Sequence, residues 1–215
     1  MTLNLLETIQ KIVRDEMGRR RGAELAVVEE QHPHAAEDDT DNYACSVVLR
    51  NSGLILKRVP LATNRMGHAA IPPVGSLVLV HFLGGDINAP VITGSFYNNE
   101  DRPPVNTDNA AVWHLPLGAG DDEAVKAELV SGDTRKLQLN LGAGLALTLQ
   151  DDDPTVKLEV GDGKATITVA ADGSITVESG GDLSVQAASI DINGNEITME
   201  ASGNLNLKGA TINLN

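Results

Sequence analysis

Residues 166–215 repeat one short pattern seven times. The units are Thr166-Ile167-Thr168-Val169, Ser174-Ile175-Thr176-Val177, Asp182-Leu183-Ser184-Val185, Ser189-Ile190-Asp191-Ile192, Glu196-Ile197-Thr198-Met199, Asn204-Leu205-Asn206-Leu207 and Thr211-Ile212-Asn213-Leu214. Each reads polar, apolar, polar, apolar. Their first apolar positions step by 8, 8, 7, 7, 8 and 7 residues, with Gly, Asn, Asp and Ser between units. Period-two alternation punctuated by turn residues at a fixed interval is the signature of a β repeat.

The repeat length limits the closures available. A three-sided coil wound from a single chain needs roughly 18 residues or more, because each side takes a strand and each corner a turn. Seven or eight residues supply one strand and one corner. Three identical chains, each giving one side per level, complete the coil and satisfy each other's strand edges. The inward side chains Ile167, Val169, Ile175, Val177, Leu183, Val185, Ile190, Ile192, Ile197, Met199, Leu205, Leu207, Ile212 and Leu214 then meet on one axis. Two other closures satisfy the same repeat: a two-sided coil within one chain, and a sandwich of short hairpins.

Residues 155–215 contain no proline, aromatic residue, histidine, cysteine or arginine, which suits a uniform rod with a narrow interior. All five aromatic residues fall between Tyr43 and Trp113, so a different, globular part precedes the rod. The formal net charge of −14 argues against a nucleic-acid binder and favours solubility through self-repulsion. Cys45 is the only cysteine, which leaves no intrachain disulfide framework and fits a reducing cytoplasm. The N-terminus lacks a basic start and a long apolar run, so no signal peptide is expected, and no stretch has the length of a membrane span.

In chain order, residues 3–18 read as an amphipathic helix, with Leu6, Ile9, Val13 and Met17 at helical spacing. Arg19, Arg20 and Arg21 follow, as a partner contact or as favourable charge at a helix C-terminus. Strands are expected at 24–29, 43–50, 54–60, 76–82 and 89–97, five in number, as an OB-type barrel has. The intervening residues 31–42 read as an exposed loop. His32 and His34 there make at most an incomplete pair of metal ligands. His68, His81 and His114 have no partner spacing.

Residues 71–104 carry the most particular motifs. From Pro72 runs Pro-x-Val-Gly-x-x-Val-Leu-Val-x-Phe; Gly84-Gly85-Asp86, Pro90-Val91-Ile92-x-Gly94 and Tyr97-Asn98 before Pro103-Pro104 follow. Upstream lie Asp41-Asn42-Tyr43-x-Cys45, Val59-Pro60 and Ala69-x-Ile71-Pro72. Physically, Gly84-Gly85-Asp86 is a hairpin turn, Pro90 opens a strand and Gly94 permits close packing or a bulge. This stretch resembles the barrel domain of contractile-tail spikes: phage baseplate V proteins, VgrG proteins of type VI secretion and spikes of extracellular injection systems. The resemblance implies an all-β chain in a homotrimer. Residues 1–22 form its helix, 23–100 the OB barrel, 101–135 a linker or collar and 136–215 an intertwined triple-stranded β-helix. It further implies a baseplate hub as docking partner, the target envelope as what the rod pierces, and residence in a phage tail or tail-like particle.

The same resemblance bears on chemistry. Some phage members carry a lysozyme domain between barrel and rod, and about 35 residues here are too few for one. Asp121, Asp122 and Glu123 are adjacent acids, not two carboxylates facing one cleft. No nucleophile motif, cofactor motif or dense calcium repeat occurs, and Asp162, Asp172 and Asp182 recur with the turns. No enzymatic activity, metal or cofactor is expected. Trp113 is expected to plug a subunit interface or to cover the barrel. No histidine follows His114, so the histidine-bound iron apex of some spikes has no ligands here. A small conical tip protein of PAAR type is expected on Thr211, Ile212, Asn213, Leu214 and Asn215. Two other classes fit the composition: a monomeric acidic β-roll or adhesin-like protein, and an OB-fold module binding nucleic acid or glycan.

Overall fold

The computed structural model describes residues 4–142 and 144–213. Helix α1, Leu5–Arg19, opens the chain. The Asn4 side chain caps it, accepting a hydrogen bond from the Leu6 amide at 3.4 Å. Leu5, Leu6, Ile9, Ile12 and Val13 stay exposed along it, so the helix stands apart from the barrel core. No described helix is long and apolar enough to cross a membrane.

Strand β1, Glu24–His32, is the hinge of the first sheet. It pairs antiparallel with β2, Ala44–Leu49, on one side and with β4, Leu77–Phe82, on the other. Strand β3, Ile55–Pro60, extends from β2, and β5, Pro90–Phe96, extends from β4. The order β3-β2-β1-β4-β5 curls until β3 meets β5, with a parallel bridge between Leu61 and Ile92. One strand shared by two antiparallel neighbours and closure through the third and fifth is the OB topology.

Alternation along these strands fills the barrel. Ala26, Val28, Cys45, Val47, Leu49, Val59, Val78, Val80, Phe82 and Ile92 form a continuous core, each at most 2% exposed. Each large aliphatic among them contributes about 1.5–3 kcal/mol by leaving water. Thr93 is extra in the β4–β5 ladder, since Leu79 faces Gly94 while Val80 faces Ile92, and the bulge bends the sheet toward closure. The expected hairpin turn is a single 3-10 turn over Leu83–Gly85, with Gly84 and Gly85 at φ of 63° and 82°. A Cβ at Gly85 would lie 2.9 Å from the Arg20 Cβ. Its carbonyl accepts the Arg21 amide at 3.1 Å, so the glycine roots the helix on the barrel.

Seven strands form a second sheet, β6 to β12, each antiparallel to the one before. They are Ala110–Leu115, Val125–Ser131, Arg135–Leu141, Leu145–Gln150, Val156–Val160, Ala165–Val169 and Ile175–Ser179. The first two lie in residues 101–135, the stretch expected as linker or collar. Their alternation is diluted there by Ala110, Ala111 and Ala127, and a Gly/Asp-rich turn separates them. The first two repeats also differ from expectation. They are β11 and β12 and pair with each other inside one chain. The reason is local: in the 170–174 turn the Ala170 amide meets the Ser174 carbonyl at 2.9 Å and Gly173 takes φ of 86°, which returns the strand onto its predecessor.

Candidate assembly surface

Register sorts the second sheet into two unlike faces. One row runs Trp113, Ala127, Leu139, Leu147, Leu158, Ile167, Val177, each opposite the next. A parallel row runs Ala111, Leu129, Leu137, Leu149, Val156, Val169, Ile175. A third holds Leu115, Val125, Leu141, Leu145, Val160 and Ala165, and ends at Ser179. The opposite face carries the row Val112, Glu128, Gln138, Thr148, Lys157, Thr168, Thr176. Lys136 pairs with Glu128 at 3.3 Å on that face.

Among the described residues nothing covers the apolar face. Trp113 is 53% exposed, Leu115 63% and Ile175 68%. Seven strands at about 4.8 Å spacing and some 20 Å of strand length give roughly 600 Å², the upper end of what a solvated monomer leaves bare. A groove of about 800 Å³ lies over one end, lined by Ala111, Leu129, Leu137, Leu149 and Val156 and rimmed by Arg135 and Asp151. Arg135 lies within 2.5 Å of Asp151 and holds its carboxyl below the usual range.

Beyond the last strand the chain changes character. From Gly181 to Asn213 no strand forms, and no backbone–backbone hydrogen bond is made among the described residues after the Gly180 amide meets Lys164. Alternation persists, however, and Leu183, Val185, Ile190, Ile192, Ile197, Met199, Leu205, Leu207 and Ile212 are 49–69% exposed. Of the expected core residues, Ile167, Val169, Ile175 and Val177 therefore sit on the sheet's apolar face and nine more on this unpaired tail. Leu214 lies outside the described residues. Of the expected tip residues, Thr211, Ile212 and Asn213 are exposed, and Leu214 and Asn215 lie outside the described residues.

The sequence reading placed residues 136–215 in the rod and left β6 and β7 outside it, in the stretch expected as linker or collar. Leu137, Leu139, Leu141 and Leu145, Leu147, Leu149 alternate as the later units do, at a looser spacing. Trp113 lies on the apolar face, opposite Ala127.

Other polar candidates are absorbed locally. His32 is buried with Nε2 2.8 Å from the Ser46 Oγ, whereas His34 is exposed and bonds Asp39 at 2.8 Å, so the two face different partners. The His34 contact and the Ala35 and Ala36 amides hold Asp39 down to about 2. Asp121 bonds His114 at 3.1 Å and lies 3.7 Å from Lys126. Arg21 pairs with Glu24 at 3.0 Å and lies 5.8 Å from the Phe82 ring centroid. Asp172 accepts from the Ser174 hydroxyl at 2.7 Å and its amide at 2.9 Å, bracing a turn.

Comparison with known proteins bears on the barrel. Residues 54–97, which hold β3, β4, β5 and the Gly84-Gly85 turn, match the type VI secretion system/phage-baseplate injector OB domain. Two type VI secretion system spike proteins of Pseudomonas aeruginosa, VgrG2a and VgrG2b, are each 47% identical over 38 residues, 18% of this chain and 4% of theirs. A third from the same organism, VgrG5, is 52% identical over 40 residues, 19% of this chain and 5% of its own. The matched stretch thus spans about a twentieth of those relatives. Over that short stretch, with OB topology around it, the chain is similar to VgrG-like baseplate spikes.

Proposed function

We propose that this chain is the central spike of a contractile injection machine, acting mechanically and as a homotrimer. The observation that carries the reading is the bare apolar face of β6–β12 joined to an injector-type barrel. Three copies turning that face inward form a triangular prism, with the polar rows outside and the tail strands pairing between chains below it. The barrels dock on a baseplate hub, and the shaft points at the target envelope. Strands in such a prism cross the axis, so hydrogen bonds run along it and side-chain packing resists buckling under thrust. A small PAAR-type protein on Thr211, Ile212, Asn213, Leu214 and Asn215 would cover apolar side chains such as Ile212, 49% exposed, and serve as the point. In this reading the shaft starts at Ala110, and residues 97–109 alone link it to the barrel.

The experiment is a solution mass. Three chains of 22.6 kDa give about 68 kDa by sedimentation. A monomer at every concentration would overturn the proposal and favour a single-chain β-roll.

A further inference from the structure

The two parts of the bare surface differ in what they need from another copy. The strands β6–β12 pair with one another within the chain, through short antiparallel connections. Only the outer edges of β6 and β12 and the apolar side chains lack a partner. Residues 181–213 lack both: their apolar side chains are exposed, and among the described residues their backbone groups bond to no other backbone.

We infer that the apolar face of β6–β12 is the primary docking surface for two further copies, and that the tail pairs only after it has docked. The inference rests on the trimeric reading above and adds which contact carries the assembly. The occupant is the same chain for a specific reason. The face continues into a tail whose repeat has the same alternation but no ladder, and a further copy supplies both a matching apolar face and a matching strand edge. An unrelated partner would have to supply both in the same order.

Energetics set the sequence of events. A meander of neighbouring strands closes small loops, so each copy forms its sheet at little entropic cost. Zipping three free tails must first fix some thirty residues in each of three molecules, with no hydrogen bond gained inside any one of them. Docked sheets hold the tail roots together, which raises their effective concentration to the millimolar range and makes pairing an intramolecular step. The central row, with Leu139, Leu147 and Leu158 opposite one another, lies in the middle of that face.

Two full-length variants test this. Leu147→Asp puts a charge at the centre of the docking face, on a side chain that no barrel contact needs. Leu205→Asp puts the same charge in the tail. The expected result is that Leu205→Asp stays trimeric by sedimentation, with protected amides in β6–β12 and local loss of protection around residue 205. Leu147→Asp is expected to be monomeric, with amides throughout 181–213 exchanging freely although that sequence is intact. A trimeric Leu147→Asp with a protected tail, or a monomeric Leu205→Asp, overturns the inference and leaves the trimer standing. Wild-type protein read by hydrogen exchange across a guanidinium series gives a check that needs no variant. Tail protection is expected to vanish at lower denaturant than the trimer mass, and the reverse order overturns the inference. A wild type that never exceeds a monomer sinks the trimeric reading itself.

Discussion

Arg135, the first residue of β8, clasps Asp151, the residue after β9, by three hydrogen bonds. The Arg135 amide meets one carboxylate oxygen at 2.6 Å, its Nε meets the other at 2.5 Å, and the Asp151 amide returns to the Arg135 carbonyl at 3.1 Å. The pair closes the open end of a hairpin at the edge of the apolar face. Asp39 and Asp172 are held in comparable clasps, and all three carboxyls lie below the ordinary range.

Acid sensitivity follows. A carboxyl whose folded-state value is depressed stabilises fully above its unfolded value near 4. It loses that contribution as pH falls through the folded value, toward about 2 for Asp39. Stability measured by denaturant melts is expected to decline from pH 5 to pH 2. Asp151→Asn is expected to flatten that decline slightly, because the pair is solvent-exposed and screened. Parallel curves for variant and wild type would refute a role for the clasp.

Trp113 is the only tryptophan in the chain and is 53% exposed on the apolar face. Assembly through that face is expected to shift its emission to the blue as concentration rises, in step with the sedimentation mass. Emission that stays red through the rise in mass would place the contact elsewhere.

Leu49 is fully buried in the barrel, between β1 and β3 on the edge of β2. Leu49→Ala is expected to cost about 2–5 kcal/mol through lost transfer energy and a residual cavity. Thermal melts resolve it as a fall in barrel stability with the sheet's hydrogen-exchange protection unchanged.

Ser46, buried on β2, gives His32 its side-chain hydrogen-bond partner, and the Arg58 amide also reaches that hydroxyl at 3.4 Å. Ser46→Ala leaves a buried imidazole nitrogen short of a partner and is expected to cost about 1–3 kcal/mol. A neutral result in denaturant melts would mean that Glu30, 3.5 Å away, takes over the contact.

Gly85→Ala is expected to loosen the helix root. The new methyl meets the Arg20 Cβ at 2.9 Å and the residue must hold φ of 82°. A cost of about 1 kcal/mol or more follows from the conformation alone. Faster exchange of the Arg21 amide is the readout.

Strand positions in the barrel were legible where alternation is clear, but β1 runs on through a bulge to His32, inside the stretch expected as a loop, and β2 is buried at Ala44, Cys45, Ser46 and Val47 in succession. Val78, Val80 and Phe82 already face one way in the sequence. The resemblance rested largely on the same residues, and its part from Val59 to Tyr97 lies inside the matched stretch. The strand β6 was not legible, since Ala110-Ala111-Val112 offers too little contrast between faces. Pairing partners were not legible either. Alternation states which side chains share a face but not whether the neighbouring strand comes from the same chain or another. That depends on turns such as 161–164, whose three consecutive positive φ angles no period reveals. The partners of His32 and His34 required the fold, because Ser46 and Asp39 are adjacent to them only in space.

The third apolar row, which runs from Leu115 through Val160 to Ala165 and Ser179, sets a profile. Strands shorten from seven residues in β7 and β8 to five in β10, β11 and β12, and the tail units to four. At about 3.3 Å per residue, the side of the proposed prism falls from some 23 Å to some 13 Å. In that proposed prism Trp113, on the six-residue β6, would lie toward the broad end, with paired aliphatics alone toward the narrow one. Such a shaft would act as a wedge, opening a small hole first and widening it only as thrust continues, so that the peak force is spread over the length of the stroke.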